Sequence, residues 1–303
     1  MPIKPKGSIK EFYNGKEKYL FIGNGVNLLS AGLSWPTLLQ RISASAKVKI
    51  GFNDKTYPLI VEEIAFKMKK TSHIDTNIKS LKEIIGKECN RLSPNKFHKS
   101  IVNLKCYNHF LTTNYDYCIE SAILQDCDIE NSKNKKNPKY SLNRYNLIGN
   151  KKVWHIHGEI DNGLRGSKIS KQESIMIGNE HYGDYQKRIH DLVKGKKGLY
   201  HLMKTEAENW IHVFFSRDID IIGFGMDFTE AHLWLILNFR ARMKRKGVSI
   251  ANNISFYYPS FEKGRMQSKI DLLSVLDVVT IEIPSPKDDY ETFYKKFIIS
   301  KSK

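Results

Sequence analysis

"LFIGNGVNLLSAGLSWPTLL" (residues 20–39) starts as an apolar run, breaks at Gly23 and Gly25, and resumes as a pattern with helical spacing. A strand that turns through glycines into a helix opens many nucleotide-binding α/β domains. The dinucleotide fingerprint also requires a third glycine, and Leu28 occupies that place. Trp35, Leu38, Leu39, Ile42 and Ala46 recur on one helical face. Ser34 can cap that helix, and Pro36 falls in its first turn, where a missing N–H costs little.

Further short apolar runs follow: "HFLTTN" (109–114), "VWHIHG" (153–158), "DIDIIGFG" (218–225), "ISFYYP" (254–259) and "VVTIEI" (278–283), in addition to "KYLFIG" (18–23). Helical patterns separate many of them, notably 229–246, 262–276 and 288–298. Strands alternating with helices predict an α/β fold, a doubly wound, Rossmann-like and mainly parallel sheet. Two stretches depart from that rhythm, about 47–100 and 159–212. Both read as helical insertions forming a smaller cap layer over the sheet's ligand edge, within a single domain spanning 1–303. The segment 131–139, "NSKNKKNPK", reads as an exposed loop.

The chain has 49 Lys and Arg against 32 acidic residues, a formal charge of +17. Such a surface attracts polyanions. The charge is scattered rather than gathered into one stripe with interleaved aromatics, so nucleic acid is expected only through a partner or the general basic surface. No apolar run is long enough to span a bilayer, so no membrane association is expected. The N-terminal residues lack the apolar middle of a secretory signal, and a cytoplasmic location is expected. Cys89, Cys106, Cys118 and Cys127 have no pair at zinc-knuckle spacing. They read as reduced thiols, and no metal is expected.

In an open α/β sheet, ligands bind beyond the carboxyl ends of the strands. Four strand ends carry polar chemistry. "GNGVN" (23–27) offers flexible backbone and free N–H groups for an anion, or a plain strand-to-helix turn. "TTNYD" (112–116) places Asn114 and Asp116 where they either face a site or cap the next helix. In "WHIHG" (154–158), strand alternation turns His155 and His157 to the same side, which would suit a metal pair, but no third ligand is evident nearby. His157, at the strand end, is better placed as a base, and His155 as a satisfied core histidine. "GFGMDF" (223–228) brings a second glycine turn near an adenosine or ribose, with Asp227 either in the site or capping the following helix.

Taken in order, these four ends resemble the sirtuin superfamily. That family carries a glycine loop with a Ser-Ala-Gly segment, then Thr-x-Asn-x-Asp, then His-Gly, then a late glycine-rich strand end. This chain has "GNGVN" with "SAGL" (30–33), "TTNYD", "HG" (157–158) and "GFGM" (223–226). The likeness is nearest to the bacterial members found in antiphage defence. Asn24 stands where sirtuins usually have Ala, and Asn27 where they usually have Ser. One extra residue precedes "SAGL", and "LSWPTLL" replaces the Asp-Phe-Arg of deacylases. No cysteine follows Cys127, so the four-cysteine zinc module of sirtuin deacylases is missing.

The resemblance implies NAD⁺ as substrate rather than redox cofactor. Asn114 would hold the attacking water or the nicotinamide ribose, Asp116 would bind nicotinamide or ribose, and His157 would act as general base. Gly23, Asn24, Gly25 and Val26 would line the pyrophosphate, with Asn27 and Thr113 beside them. Gly223, Gly225 and Asp227 would approach the adenosine side. Without an acyl-lysine cleft, water is the expected nucleophile, giving nicotinamide and ADP-ribose. The expected enzyme is an NAD⁺ glycohydrolase of antiphage defence, restrained by a regulatory protein partner or by homo-oligomer assembly. The rivals are a sirtuin-like transferase of ADP-ribose or acyl groups, and a nucleic-acid-binding module with a vestigial NAD site.

Overall fold

The computed structural model describes residues 17–30, 33–69, 73–124, 129–131, 142–160, 175–194 and 209–302. Ala31 and Gly32 of "SAGL", most of the 131–139 segment, Cys127 and much of 159–212 lie outside those residues.

Strand β1 (Lys18–Ile22) enters a 3-10 turn (Asn24–Leu29) and then α1 (Trp35–Ser45). Helices α2 (Tyr57–Lys67), α3 (Ile74–Cys89) and α4 (Lys96–Val102) precede β2 (His109–Thr112). Next come α5 (Cys118–Ile123), β3 (Ile129–Asn131), β4 (Asn146–Ile148) and β5 (Lys151–His155). Helices α6 (Gly178–Lys194) and α7 (Trp210–Ser216) lead to β6 (Asp218–Ile222) and α8 (Ala231–Arg245). The chain closes with β7 (Ile254–Pro259), α9 (Lys263–Val275), β8 (Val279–Ile283) and α10 (Tyr290–Lys301).

The sheet has eight strands in the order β3-β4-β5-β2-β1-β6-β7-β8. From β2 to β8 in that order, and between β2 and β5, every pairing is parallel, while β3–β4 and β4–β5 are antiparallel. The doubly wound, Rossmann-like α/β fold read from the sequence is the fold that forms. From β1 the chain moves to β2, goes to the edge at β3, returns inward through β4 to β5 beside β2, and then crosses to β6 on the other side of β1. That reversal is the topological switch point where such sheets open a crevice.

Strand alternation divides the core between the two faces. Tyr19, Phe21, Ile219 and Ile221 pack with Trp210, Leu233 and Ile236 on one face. Leu20, Ile22, Phe110 and Ile222 pack with Phe97, Ile101 and Phe297 on the other. Helix α8 buries His232, Leu233, Ile236, Leu237, Arg240 and Ala241, one face of the helix rather than the whole circumference. A third cluster joins Leu39, Ile42, Ile64, Leu81 and Ile85 of α1–α3 to Tyr115 and Ile177. That cluster stands over the strand ends. Helix α4 belongs instead to the sheet flank, through Phe97 and Ile101. Ser34 caps α1 as its position predicts, its hydroxyl accepting from Thr37 N–H at 3.2 Å.

Gly223 has φ +63°, and a Cβ there would lie 2.2 Å from the Tyr294 hydroxyl. Gly223→Ala combines left-handed strain with that collision, so it should lower unfolding stability by about 1–3 kcal/mol or more. Urea denaturation of the two chains measures the difference.

Candidate active site

Register aligns the four polar strand ends. Ile22 pairs with both Thr112 and Ile222, and Thr112 pairs with His155. The segments after β1, β2, β5 and β6 therefore leave the sheet at one level. The β1 and β6 ends are clasped together: Gly23 N–H donates to Ile222 O at 3.0 Å, and Gly25 N–H to Gly223 O at 2.8 Å. A Cβ on Gly23 would lie 2.4 Å from the Gly223 carbonyl oxygen. The glycines thus serve first as close-packing residues between two turns. The expectation that their own N–H groups stand free for an anion is corrected by these two bonds.

A cleft of about 350 Å³ lies over this clasp. Asn24, Gly25, Thr113, Gly223, Gly225 and Asp227, all expected at the site, line it. Trp35, Tyr57 and Val61 close it from the cap, with Trp35 stacked on Tyr57 at 5.7 Å between ring centroids. Leu28, where the fingerprint asks for glycine, also lines the cleft and is 45% exposed. Beneath the glycine turns, the Tyr294 hydroxyl is buried and has no hydrogen-bond partner among the described residues, although its side chain reaches the cleft. A buried polar atom without a partner is costly unless a ligand or water meets it.

Other expected residues stand behind the cleft wall. Val26 is fully buried in the core, and its carbonyl accepts from Asn95 Nδ2 at 2.8 Å, so its side chain cannot line a pyrophosphate. Asn27 is buried and donates from Nδ2 to Asn24 Oδ1 and to Asp116 Oδ2, each at 2.9 Å. Asn24 Nδ2 in turn donates to Leu33 O at 2.9 Å. The two asparagines that depart from the sirtuin pattern thus form one network between the β1 loop and the β2 loop. Asp116 also accepts from Cys118 N–H at 3.0 Å, so it holds the start of α5 as well. Asp227 lines the cleft, and its Oδ1 accepts from Thr229 N–H at 2.9 Å in the turn before α8; the N-cap position of that helix is Glu230, so Asp227 does not cap it.

The two histidines of "WHIHG" part company. Strand β5 ends at His155, so period-two alternation stops there and does not bring His157 to the same side. His155 sits in the core, with Nδ1 2.8 Å from Asn114 O and Nε2 2.8 Å from Glu120 Oε1. His157, only 1% exposed, places Nε2 3.1 Å from His232 Nε2 and 3.0 Å from Glu230 Oε2. Its Nδ1 lies 3.4 Å from the Tyr182 hydroxyl. Tyr182 and Glu230 themselves line the cleft, so His157 is one layer back. Burial, then neighbouring His157, pushes His232 down to about 3. Burial alone would raise the Glu230 carboxyl, but His157 outweighs it and holds Glu230 below its usual range. Sequence reasoning missed Glu230, His232 and Tyr182. The Glu-Ala-His at 230–232 was visible only as the start of a helix, and nothing local tied it to His157.

Asn114 joins the two sides. Its N–H donates to Thr112 Oγ1 at 3.0 Å, its carbonyl faces His155, and its side-chain amide has no hydrogen-bond partner among the described residues. Residues 108–251 match the family model described as SIR2-like domain. The match supports a sirtuin-like domain over that stretch of the chain. The match covers the Thr-x-Asn-x-Asp, His-Gly and late glycine motifs, and SIR2-like enzymes are users of NAD⁺. No curated protein matches the chain. No helix among the described residues is long and apolar enough to cross a membrane.

The His155–Glu120 pair supports Asn114 from below. Burial alone would lower His155, but Glu120 outweighs it and the imidazole is raised above its ordinary 6.5. Burial would raise Glu120, but His155 holds it below its ordinary 4.5. The histidine contribution to stability is therefore complete below 6.5 and is lost as pH rises through the raised folded value. The glutamate contribution is complete above 4.5 and is lost as pH falls through the depressed one. Glu120→Gln should cost about 3–5 kcal/mol between those limits. The deficit relative to the unchanged chain should shrink as the pH is raised further, which a pH series of denaturant unfolding curves reads directly.

Proposed function

We propose that this SIR2-like domain is an NAD⁺ glycohydrolase, cleaving NAD⁺ to nicotinamide and ADP-ribose. The observation that carries the reading is the opening of the glycine turns after β1 and β6, and of Thr113 and Tyr115 on either side of Asn114, onto one cleft at the switch point. Phosphate contacts would come from backbone around Asn24 and Gly225 and from the unpartnered Tyr294 hydroxyl. The aromatic wall of Trp35 and Tyr57 offers a planar ring a stacking surface.

In the reaction, the bond between the ribose C1′ and the nicotinamide nitrogen breaks, and its electron pair neutralises the pyridinium. The leaving group needs no proton. Positive charge develops at C1′, and Glu230 at the cleft wall, beside His157, can stabilise it through preorganised electrostatics. Asn114 orients the water whose oxygen bonds to C1′. The proton released passes to His157, whose Nε2 already touches Glu230. Asp116 acts at one remove, fixing Asn27 and through it Asn24.

An enzyme that drains NAD⁺ must be restrained until it is needed. His157 withdrawn behind Tyr182 and Glu230 is the arrangement a restrained enzyme would have. We propose antiphage defence as its role, with a protein partner or self-assembly as the trigger.

Purified chain, with and without the products of neighbouring genes, should release nicotinamide from NAD⁺. Asn114→Ala and His157→Ala should each reduce that release at least about a hundredfold while circular dichroism shows the chain still folded at the assay temperature. Persistence of NAD⁺ under every condition counts against the reading. Tyr294→Phe removes one hydroxyl and little else. If that hydroxyl meets a phosphate oxygen, the KM for NAD⁺ should rise about tenfold or more with kcat largely kept.

A further inference from the structure

Behind the cleft wall three ligand atoms converge from two distant parts of the chain. His157 Nε2 and His232 Nε2 are 3.1 Å apart. Glu230 Oε2 lies 3.0 Å from the first and 3.7 Å from the second. Zinc bonded to imidazole nitrogen and carboxylate oxygen at about 2.0–2.2 Å sets neighbouring tetrahedral ligands about 3.3–3.5 Å apart. The three observed separations straddle that edge length.

Hydrogen bonding alone leaves this cluster incomplete. Two imidazole nitrogens facing each other can share at most one proton. Glu230 Oε2 is buried close to both and still has no hydrogen-bond partner of acceptable geometry. All three residues are buried, so water does not make up the deficit in bulk. An ion between them would satisfy every one of these atoms at once. The outer contacts also suit a metal site: the Tyr182 hydroxyl meets His157 Nδ1, the ring nitrogen that would remain off the metal. Tyr185 and Trp210 pack around His232 with ring centroids at 5.6 and 6.4 Å, forming a largely apolar shell.

We propose that His157, Glu230 and His232 bind one divalent transition-metal ion, with zinc the best match to two imidazoles and one carboxylate. Three protein ligands leave a fourth position open, as in sites that exchange or act on a ligand rather than purely structural ones. Glu230 and Tyr182 also line the cleft, so that position lies at the cleft wall. The proposal goes beyond NAD⁺ hydrolysis; an ion on His157 Nε2 would hold that nitrogen out of use as a base, and the test reads binding alone, so its failure is distinguishable from failure of the hydrolysis reading.

The full chain is stripped with a chelator and titrated with Co²⁺ as a spectroscopic stand-in for Zn²⁺. One equivalent should develop the visible absorption of low-coordinate cobalt, and Zn²⁺ should displace it. His232→Gln and Glu230→Gln should each weaken binding at least about tenfold. Equal cobalt spectra and affinities in the variants and the unchanged chain would place the ion on other histidines, of which the chain has ten in all, and overturn the proposal. A measurement free of folding questions uses the unchanged chain: crystals soaked in Zn²⁺, with anomalous difference maps at the zinc edge. A peak bonded to both Nε2 atoms and Glu230 sustains the site. A peak only elsewhere, or none, removes it.

Discussion

Gly223 turns the chain at the end of β6 so that two successive carbonyls, of Ile222 and Gly223, receive the N–H groups of Gly23 and Gly25. This clasp between two strand ends holds the switch point together. It needs glycine on both sides, because a Cβ at Gly23, Gly25 or Gly223 would meet backbone or the Tyr294 hydroxyl at 3.0 Å or less. With β1 and β6 fixed at one level, parallel register carries β2 and β5 to the same level. The cleft is what remains above four ends that cannot slide.

A second tie crosses the cleft floor by side chains. Asn27 reaches Asp116 across 89 residues of sequence while also holding Asn24. A shorter hydroxyl at position 27 could not donate to both acceptors, since its one proton serves one partner. The amide has two. These two donated bonds fix the geometry of both loops, although Asn27 Oδ1 has no partner among the described residues, and Asp116 adds the α5 start to the same unit. The carboxylate is therefore an organiser of the loop that carries Asn114, and its distance from the cleft is consistent with that role.

The six longer strands were legible because local signals agreed with one another, whereas the three-residue β3 and β4 were too short to leave a pattern. β-branched and aromatic runs ended at glycines, helical spacing filled the gaps, and Ser34 and Pro36 marked the start of α1 in the form the structure adopts. The positions of the strand ends, and so the neighbourhood of the site, followed from that. What could not be read were facts of termination and long-range pairing. "WHIHG" alternates in sequence, yet β5 stops at His155, and the turn sends His157 toward α8 while His155 meets Glu120. Whether the N–H groups of Gly23 and Gly25 were free depended on carbonyls some 200 residues away. The carboxylate and imidazole beside His157 come from the N-terminus of α8, 73 and 75 residues later, and no periodicity links them.

Overall charge is a poor guide to the field inside the cleft. The chain carries +17, but Asp227, Glu230 and Glu262 line the cleft against Arg265 as its lining arginine. Arg265 is moreover already 2.5 Å from Glu262 Oε2. A site built only to hold anions would invert that balance. A site that must hold a pyrophosphate at one end and favour a cation at the other has reason to divide its tools. Neutral donors such as backbone N–H groups and the Tyr294 hydroxyl can meet phosphate without adding positive charge. Carboxylates can then face the atom where positive charge grows. On the proposed reading, long-range attraction of the net-negative NAD⁺ falls to the scattered lysines outside, where it raises the encounter rate without opposing the chemistry.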